Sequence, residues 1–140
     1  MPHGTVPDVS ATEAWAALKD DPKAALVDVR TDAEWNFVGV PDLSGIGKQT
    51  VLIPWQVYPT MQMNGAFAEH LRKAGLTAEH RIYFICRSGA RSLAAGQAAQ
   101  AAGFPRAYNL ADGFEGPVDA EGHRGTVAGW KAAGLPWRQR

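Results

Sequence analysis

The residues with the greatest chemical potential lie in one turn, Cys86-Arg87-Ser88-Gly89-Ala90-Arg91-Ser92. Cys86 is the chain's single cysteine, and it ends the apolar run Ile82-Tyr83-Phe84-Ile85. An alanine-rich stretch that reads as a helix follows at once. The order strand, turn, helix puts a thiol at the positive end of a helix. There, backbone N–H groups and the helix dipole stabilise a thiolate. Two arginines within five residues add positive charge, which is not the setting of a cysteine that merely packs in a core. The N–H groups of Arg87 to Ser92 can curl around the sulfur as an anion cradle, with Gly89 relieving the steric limit on so tight a turn. The thiol is therefore expected to ionise below the free-cysteine value of about 8.5. Arg87 and Arg91 can each present parallel donors to the oxygen face of a sulfonate or phosphate.

Such a turn needs a sheet to hold it. Apolar runs alternate with helical patterns along the chain, which argues for a parallel α/β sheet. Strands are expected at Ala25 to Val29, Thr50 to Ile53, Arg81 to Ile85 and Ala107 to Leu110, the last of them central. A short edge strand near Thr5 to Val9 would be a fifth. Ser10-Ala11-Thr12-Glu13 reads as a capping box that opens a helix ended by Asp20-Asp21-Pro22. Thr31 to Trp35 reads as a short capped helix. Met63, Phe67, Leu71 and Ala74 recur at helical spacing, so a helix is expected from Pro59 to Ala74, with Met61 and Met63 packing and Gly75 beyond its end. Ala90 to Ala102 reads as the helix after Cys86, ended by Gly103. Thr126 to Ala133 reads as a last short helix carrying Trp130. Phe37 to Lys48 reads as a loop. Trp35, Trp55 and Trp130 read as core or pocket wall.

The 140 residues fit one domain, 1–140, and 46% hydrophobic with 20% charged residues is ordinary for a globular chain. Fourteen basic and fourteen acidic residues cancel, so no global field favours nucleic acid or an anionic membrane surface. The stretch from Met1 to Asp8 lacks a basic and an apolar region, so no signal peptide and a cytoplasmic location are expected. No Cys/His spacing suits zinc, and neither a metal nor a cofactor is expected. With one cysteine there is no second thiol in the chain to resolve a modified Cys86.

Cys86-Arg87-Ser88-Gly89-Ala90-Arg91 resembles the active-site loop of rhodanese-type sulfurtransferases. Leu26-Val27-Asp28-Val29-Arg30 with Glu34-Trp35 and Gly39 is similar to that family's early signature, and Leu52-Ile53-Pro54 to its second strand and exit. Tyr108-Asn109-Leu110, Asp112-Gly113-Phe114 and Trp130 are similar to its closing pattern. The resemblance covers nearly the whole chain. It implies a rhodanese-like fold, a central parallel sheet of four or five strands with helices on both faces. It also implies that Cys86 takes the outer sulfur of a small anionic donor such as thiosulfate, carries it as a persulfide, and yields it to an external acceptor. Cyanide, a small thiol or a protein thiol would serve. The loop from Arg87 through Ser88, Gly89, Ala90 and Arg91 to Ser92 would bind the donor. Two departures stand out. Val40 occupies a place where many members carry histidine, and no function is assigned to it. An extra stretch, Glu115 to Gly129, leaves the sheet beside the cysteine turn, with His123 and Arg124 as its chemically capable residues. His123 and Arg124 read first as helix-capping or solvated residues. Asp28 and Arg30 are expected chiefly as a buried structural pair near the site.

Rival readings use the same thiol. A cysteine phosphatase would need Cys-x5-Arg, whereas Arg91 makes the loop Cys-x4-Arg, one residue shorter. A persulfide carrier or redox-sensing module for a protein partner would keep Cys86 and turn over small thiols slowly. A mercaptopyruvate sulfurtransferase would be expected to have a loop poorer in basic residues.

Overall fold

The computed structural model describes residues 5–57, 60 and 62–139. The chain opens with strand β1 (Asp8–Val9) and helix α1 (Ala11–Asp20). The Ser10 hydroxyl accepts from the Glu13 amide, and the Glu13 carboxylate accepts from the Ser10 amide, so two amides without helical partners are satisfied. Strand β2 (Ala24–Asp28) leads to helix α2 (Asp32–Phe37), which Thr31 and Glu34 start in the same way. Strand β3 (Val40–Pro41), a single 3-10 turn at Ser44–Ile46 and strand β4 (Val51–Leu52) follow. Strands β5 (Gln56–Val57) and β6 (Gln62–Met63) form a small hairpin before helix α3 (Phe67–Lys73). Strand β7 (Arg81–Ile85), helix α4 (Ala90–Ala101), strand β8 (Ala107–Leu110) and strand β9 (Trp137–Arg138) complete the order.

Five strands form one parallel sheet in the order β1-β8-β7-β2-β4. The strand expected near Thr5 to Val9 is β1, paired to β8 with Asp8 opposite Asn109. β8 is internal, but β7 rather than β8 holds the centre. Side chains alternate between two cores, as the pleat requires. Ile82, Phe84 and Cys86 face α3 and α4 with Phe67, Leu71, Ala95 and Ala99. Tyr83 and Ile85 face the other way, onto Ala14 and Leu18 of α1 and onto Phe114 and Trp130. β2 leads toward β4 on one side of the sheet and β7 toward β8 on the other. Their carboxyl ends therefore flank the crevice where such sheets bind ligands, and Cys86 stands there.

Three sequence expectations fail. Met63 lies not on a helix but in β6, 64% exposed, and α3 begins only at Phe67. Asn64 breaks the pattern: its side chain accepts from the Ala66 amide and donates to Pro54 O. Pro59 and Met61 lie outside the described residues. Thr126 to Ala133 runs through bends and turns rather than a helix, with Gly125 and Gly129 at φ of +88° and +102°. Trp130 is nonetheless fully buried, its indole N–H donating to Pro136 O at 2.6 Å. Phe37 to Lys48 is not all loop, since β3 pairs antiparallel with β9. No helix among the described residues is long and apolar enough to cross a membrane.

α4 approaches the sheet through small residues. A Cβ on Gly96 would stand 3.1 Å from Val6 Cγ1 and 3.7 Å from the Phe84 ring. Gly96→Leu is expected to push α4 off the sheet and to cost about 1–3 kcal/mol, as overpacking does. Urea denaturation would read this as a lower midpoint at unchanged slope.

Candidate active site

The turn between β7 and α4 wraps its amides around one sulfur. Cys86 Sγ accepts from the Gly89 amide at 3.1 Å and the Ser92 amide at 3.3 Å, and Ser92 Oγ lies 3.2 Å away. Cys86 is 1% exposed, whereas Arg87, Ser88 and Ala90 beside it are exposed. Two N–H groups are thus aimed at the sulfur, at the start of a twelve-residue helix. Gly89 makes the turn possible. Its φ is +110°, and any Cβ there would collide with Ala111 O.

Residues 111–116 back this loop. The amides of Phe114, Glu115 and Gly116 donate to Cys86 O at 2.8 Å and to Arg87 O at 3.0 Å each. Gly113 has φ of +70°, and a Cβ on it would sit 2.5 Å from Arg87 O. The stretch from Glu115 to Gly129 thus starts against the cysteine turn. Arg124 is tied within it through its side chain, and His123 through its backbone. Arg124 Nη1 donates to Gly116 O at 2.6 Å. His123 is exposed, and its amide donates to the Asp119 carboxylate at 2.9 Å. The expected helix-capping role has no helix to serve.

The two loop arginines differ. Arg91 forms a two-pronged bridge to Glu34 of α2, at 2.6 and 2.9 Å. Burial opposes the charge on Glu34, but the Arg91 hydrogen bond and charge, with help from Thr31, outweigh it and lower the carboxyl to about 2. Arg91 is held charged in return, first by its hydrogen bond to Glu34, and it also feels Cys86 and Asp28. The Arg87 side chain is exposed and makes no hydrogen bond or ion pair among the described residues. Asp28 and Arg30, both fully buried, close a bidentate pair at the end of β2. Arg30 also donates to Gly39 O and stacks 4.3 Å from the Phe114 ring centroid, while its Nη1 has no partner.

Two participants were not singled out as site residues by the sequence reading. Glu34 stands in the sequence only as part of the family signature, and its bridge to Arg91 spans 57 residues. Asn109 receives the Ser92 hydroxyl at 2.5 Å and donates to Asp8 at 3.0 Å. A lone asparagine inside a buried strand is a signal that it serves a buried polar partner. Nothing in the sequence marks Asp8.

The family model described as the STR4 middle domain matches residues 7–140. An uncharacterized protein of Rickettsia conorii, RC0915, is 34% identical over 135 residues, covering 96% of this chain and 98% of that one. The chloroplastic rhodanese-like domain-containing protein 4 of Arabidopsis thaliana is 29% identical over 91% of this chain, which spans 25% of that longer protein. The crystal structure of Rv0390 from M. tuberculosis superposes with a TM-score of 0.88 at 48% identity, covering 98% of this chain and 100% of that one. The polysulfide-sulfur transferase homodimer of Wolinella succinogenes superposes at 0.61 with 23% identity, over 96% of this chain and 80% of that one, a likeness of fold alone.

The Glu34–Arg91 bridge has a pH signature. The carboxyl is lowered from 4.5 to about 2, so the bridge stabilises the fold fully above pH 4.5 and loses that contribution as pH falls toward 2. Between those limits the wild type is expected to lose about 1–2 kcal/mol more than Glu34→Gln, allowing for partial exposure. Denaturant titrations at several acidic pH values would measure the difference.

Proposed function

We propose that this chain, which belongs to the rhodanese-like family through its STR4 middle-domain match, moves sulfane sulfur through a persulfide on Cys86. Its rhodanese-like relative in Arabidopsis supports a domain of sulfurtransferase or sulfur-carrier type. The observation that carries the finer reading is the convergence of the Gly89 and Ser92 amides on Cys86 Sγ, in a Cys-x4-Arg loop. In the first half-reaction the thiolate attacks the outer sulfur of thiosulfate. The donor's S–S bond breaks, and sulfite leaves with the electron pair. The amide cradle that holds the thiolate also suits the persulfide anion. In the second half-reaction cyanide, a small thiol or a protein thiol takes the terminal sulfur and restores the thiolate. Transfer through a covalent intermediate is ping-pong. With Arg91 committed to Glu34, Arg87 is the loop cation left to meet the donor's sulfonate end. The loop is one residue short of the phosphatase pattern, which weighs against a phosphate monoester.

Incubation of the reduced protein with thiosulfate is expected to add one sulfur atom to its intact mass, removable by cyanide, and to add none to Cys86→Ser. A wild type that gains nothing while its thiol stays reactive would refute the reading. Arg87→Ala is expected to raise the KM for thiosulfate about tenfold, the size of one charge-assisted hydrogen bond. Its KM for an uncharged organic trisulfide should stay nearly unchanged; an equal effect on both donors would remove Arg87 from sulfonate binding.

A further inference from the structure

A polar chain leads away from the sulfur, through four elements, to the edge of the sheet. Cys86 Sγ stands 3.2 Å from Ser92 Oγ, Ser92 Oγ 2.5 Å from Asn109 Oδ1, and Asn109 Nδ2 3.0 Å from Asp8 Oδ1. Ser92 and Asn109 are buried, and Asp8 is exposed on β1. The direction of each bond follows from what each group can give. A charged carboxylate only accepts, so Asp8 draws the NH2 end of the Asn109 amide toward itself. The amide oxygen is thereby turned to Ser92, and it too only accepts. A hydroxyl has one proton, and here Asn109 Oδ1 claims it. The remaining acceptor near Ser92 Oγ, Gly89 O at 3.2 Å, would also draw that proton away from the sulfur. Ser92 therefore offers Cys86 a lone pair.

We propose that Asp8 and Asn109 are positioning residues that hold Ser92 Oγ as a hydrogen-bond acceptor toward Cys86, so that this contact favours the thiol while the two backbone amides favour the thiolate. The thiol is thereby poised between two opposed sets of bonds. When the thiol gives its proton to solvent water, Ser92 can turn its own O–H from Asn109 to the thiolate sulfur, a rotation that stabilises the new charge. In the proposed sulfur transfer this opposition would keep a share of the resting enzyme in the less oxidisable thiol form. That consequence rests on the sulfurtransferase reading; the hydrogen-bond inference does not. The charged groups around the sulfur are Arg91 of α4 with Glu34 of α2, the Asp28–Arg30 pair at the end of β2, Asp8 of β1 and the exposed Arg87. Asp112 and Glu115 lie on the segment behind the loop.

The test is the pH midpoint of thiolate formation at the single cysteine, read by ultraviolet absorbance against Cys86→Ser and by iodoacetamide alkylation rate. Asn109→Leu changes no charge and removes the nearer acceptor at 2.5 Å, leaving the Ser92 proton to turn between the sulfur and the longer contact to Gly89 O at 3.2 Å. Its midpoint is expected to fall about 0.5–1 pH unit below the wild type, the size of one hydrogen bond changing sides. Asp8→Asn lets the Asn109 amide sit either way round, and its midpoint should fall by less. Both shifts should vanish in a Ser92→Ala background, where no hydroxyl remains to turn. An unchanged or raised midpoint would overturn the inference. So would a shift that survives Ser92→Ala, because that is what simple loss of the Asp8 charge or a general loosening would give. Asp8 lies on an exposed edge, so Asp8→Asn keeps the inference open to refutation should Asn109→Leu not fold. A protein that accepts no sulfur from thiosulfate yet shows these shifts would refute the proposed function and support the network.

Discussion

The loop that brings the Gly89 and Ser92 amides to Cys86 Sγ must also find hydrogen-bond donors for its own carbonyls. That constraint governs the architecture around Cys86. The sulfur is cradled only because Cys86 O and Arg87 O, pointing out of the loop, find donors in the amides of Phe114, Glu115 and Gly116. Buried carbonyls without partners would cost about 1–3 kcal/mol each, enough to open the turn. The two backbones must therefore touch, and Gly89 and Gly113 stand where any Cβ would strike the opposing strand of chain. A cradle at the end of β7 thus commits residues that lie nearly thirty positions later.

Charge is arranged around the cradle with comparable economy. Asp28 and Arg30 neutralise one another in the dry interior at the end of β2, and Phe114 covers the guanidinium. Removing either partner would leave a buried charge alone, which is why such pairs act as fixed pieces of scaffold. Glu34 and Arg91 tie α2 to the first turn of α4 across the mouth of the crevice. The net result is a local positive potential made of oriented amides plus one exposed guanidinium, set in a chain with no net charge.

The parts of this arrangement legible in the sequence are those written locally. β7 and β8 have the bounds their apolar runs suggest, and α4 starts at Ala90 and stops one residue short of the expected end. The Ser10–Glu13 capping box was legible because it joins residues three apart, and the capped start at Thr31 is a second box of the same kind. Met63 misled because it lies four residues before Phe67, and a side chain one turn away continues any helical pattern. The Asn64-Gly65 pair between them was the stronger signal, since Asn64 caps the backbone of the following turn. Thr126 to Ala133 misled for a similar reason: two glycines in left-handed backbone outweigh a Trp and several alanines. Arg91 to Glu34 and Asn109 to Asp8 join residues 57 and 101 positions apart, and only the sheet order brings them together.

The dependence of the cradle on residues 113–116 also sets an order of events during synthesis. A ribosome releases this chain from its amino end, so Cys86 emerges before the amides that hold its loop closed. Until the stretch through Gly116 has followed and folded back, the carbonyls of Cys86 and Arg87 are left to water, and the cysteine is an ordinary thiol on a nascent chain. The sulfur acquires its special surroundings late, when the sheet that shelters it is nearly complete. The amide cradle around the sulfur is therefore a property of the finished fold, absent from the chain while it is still being made.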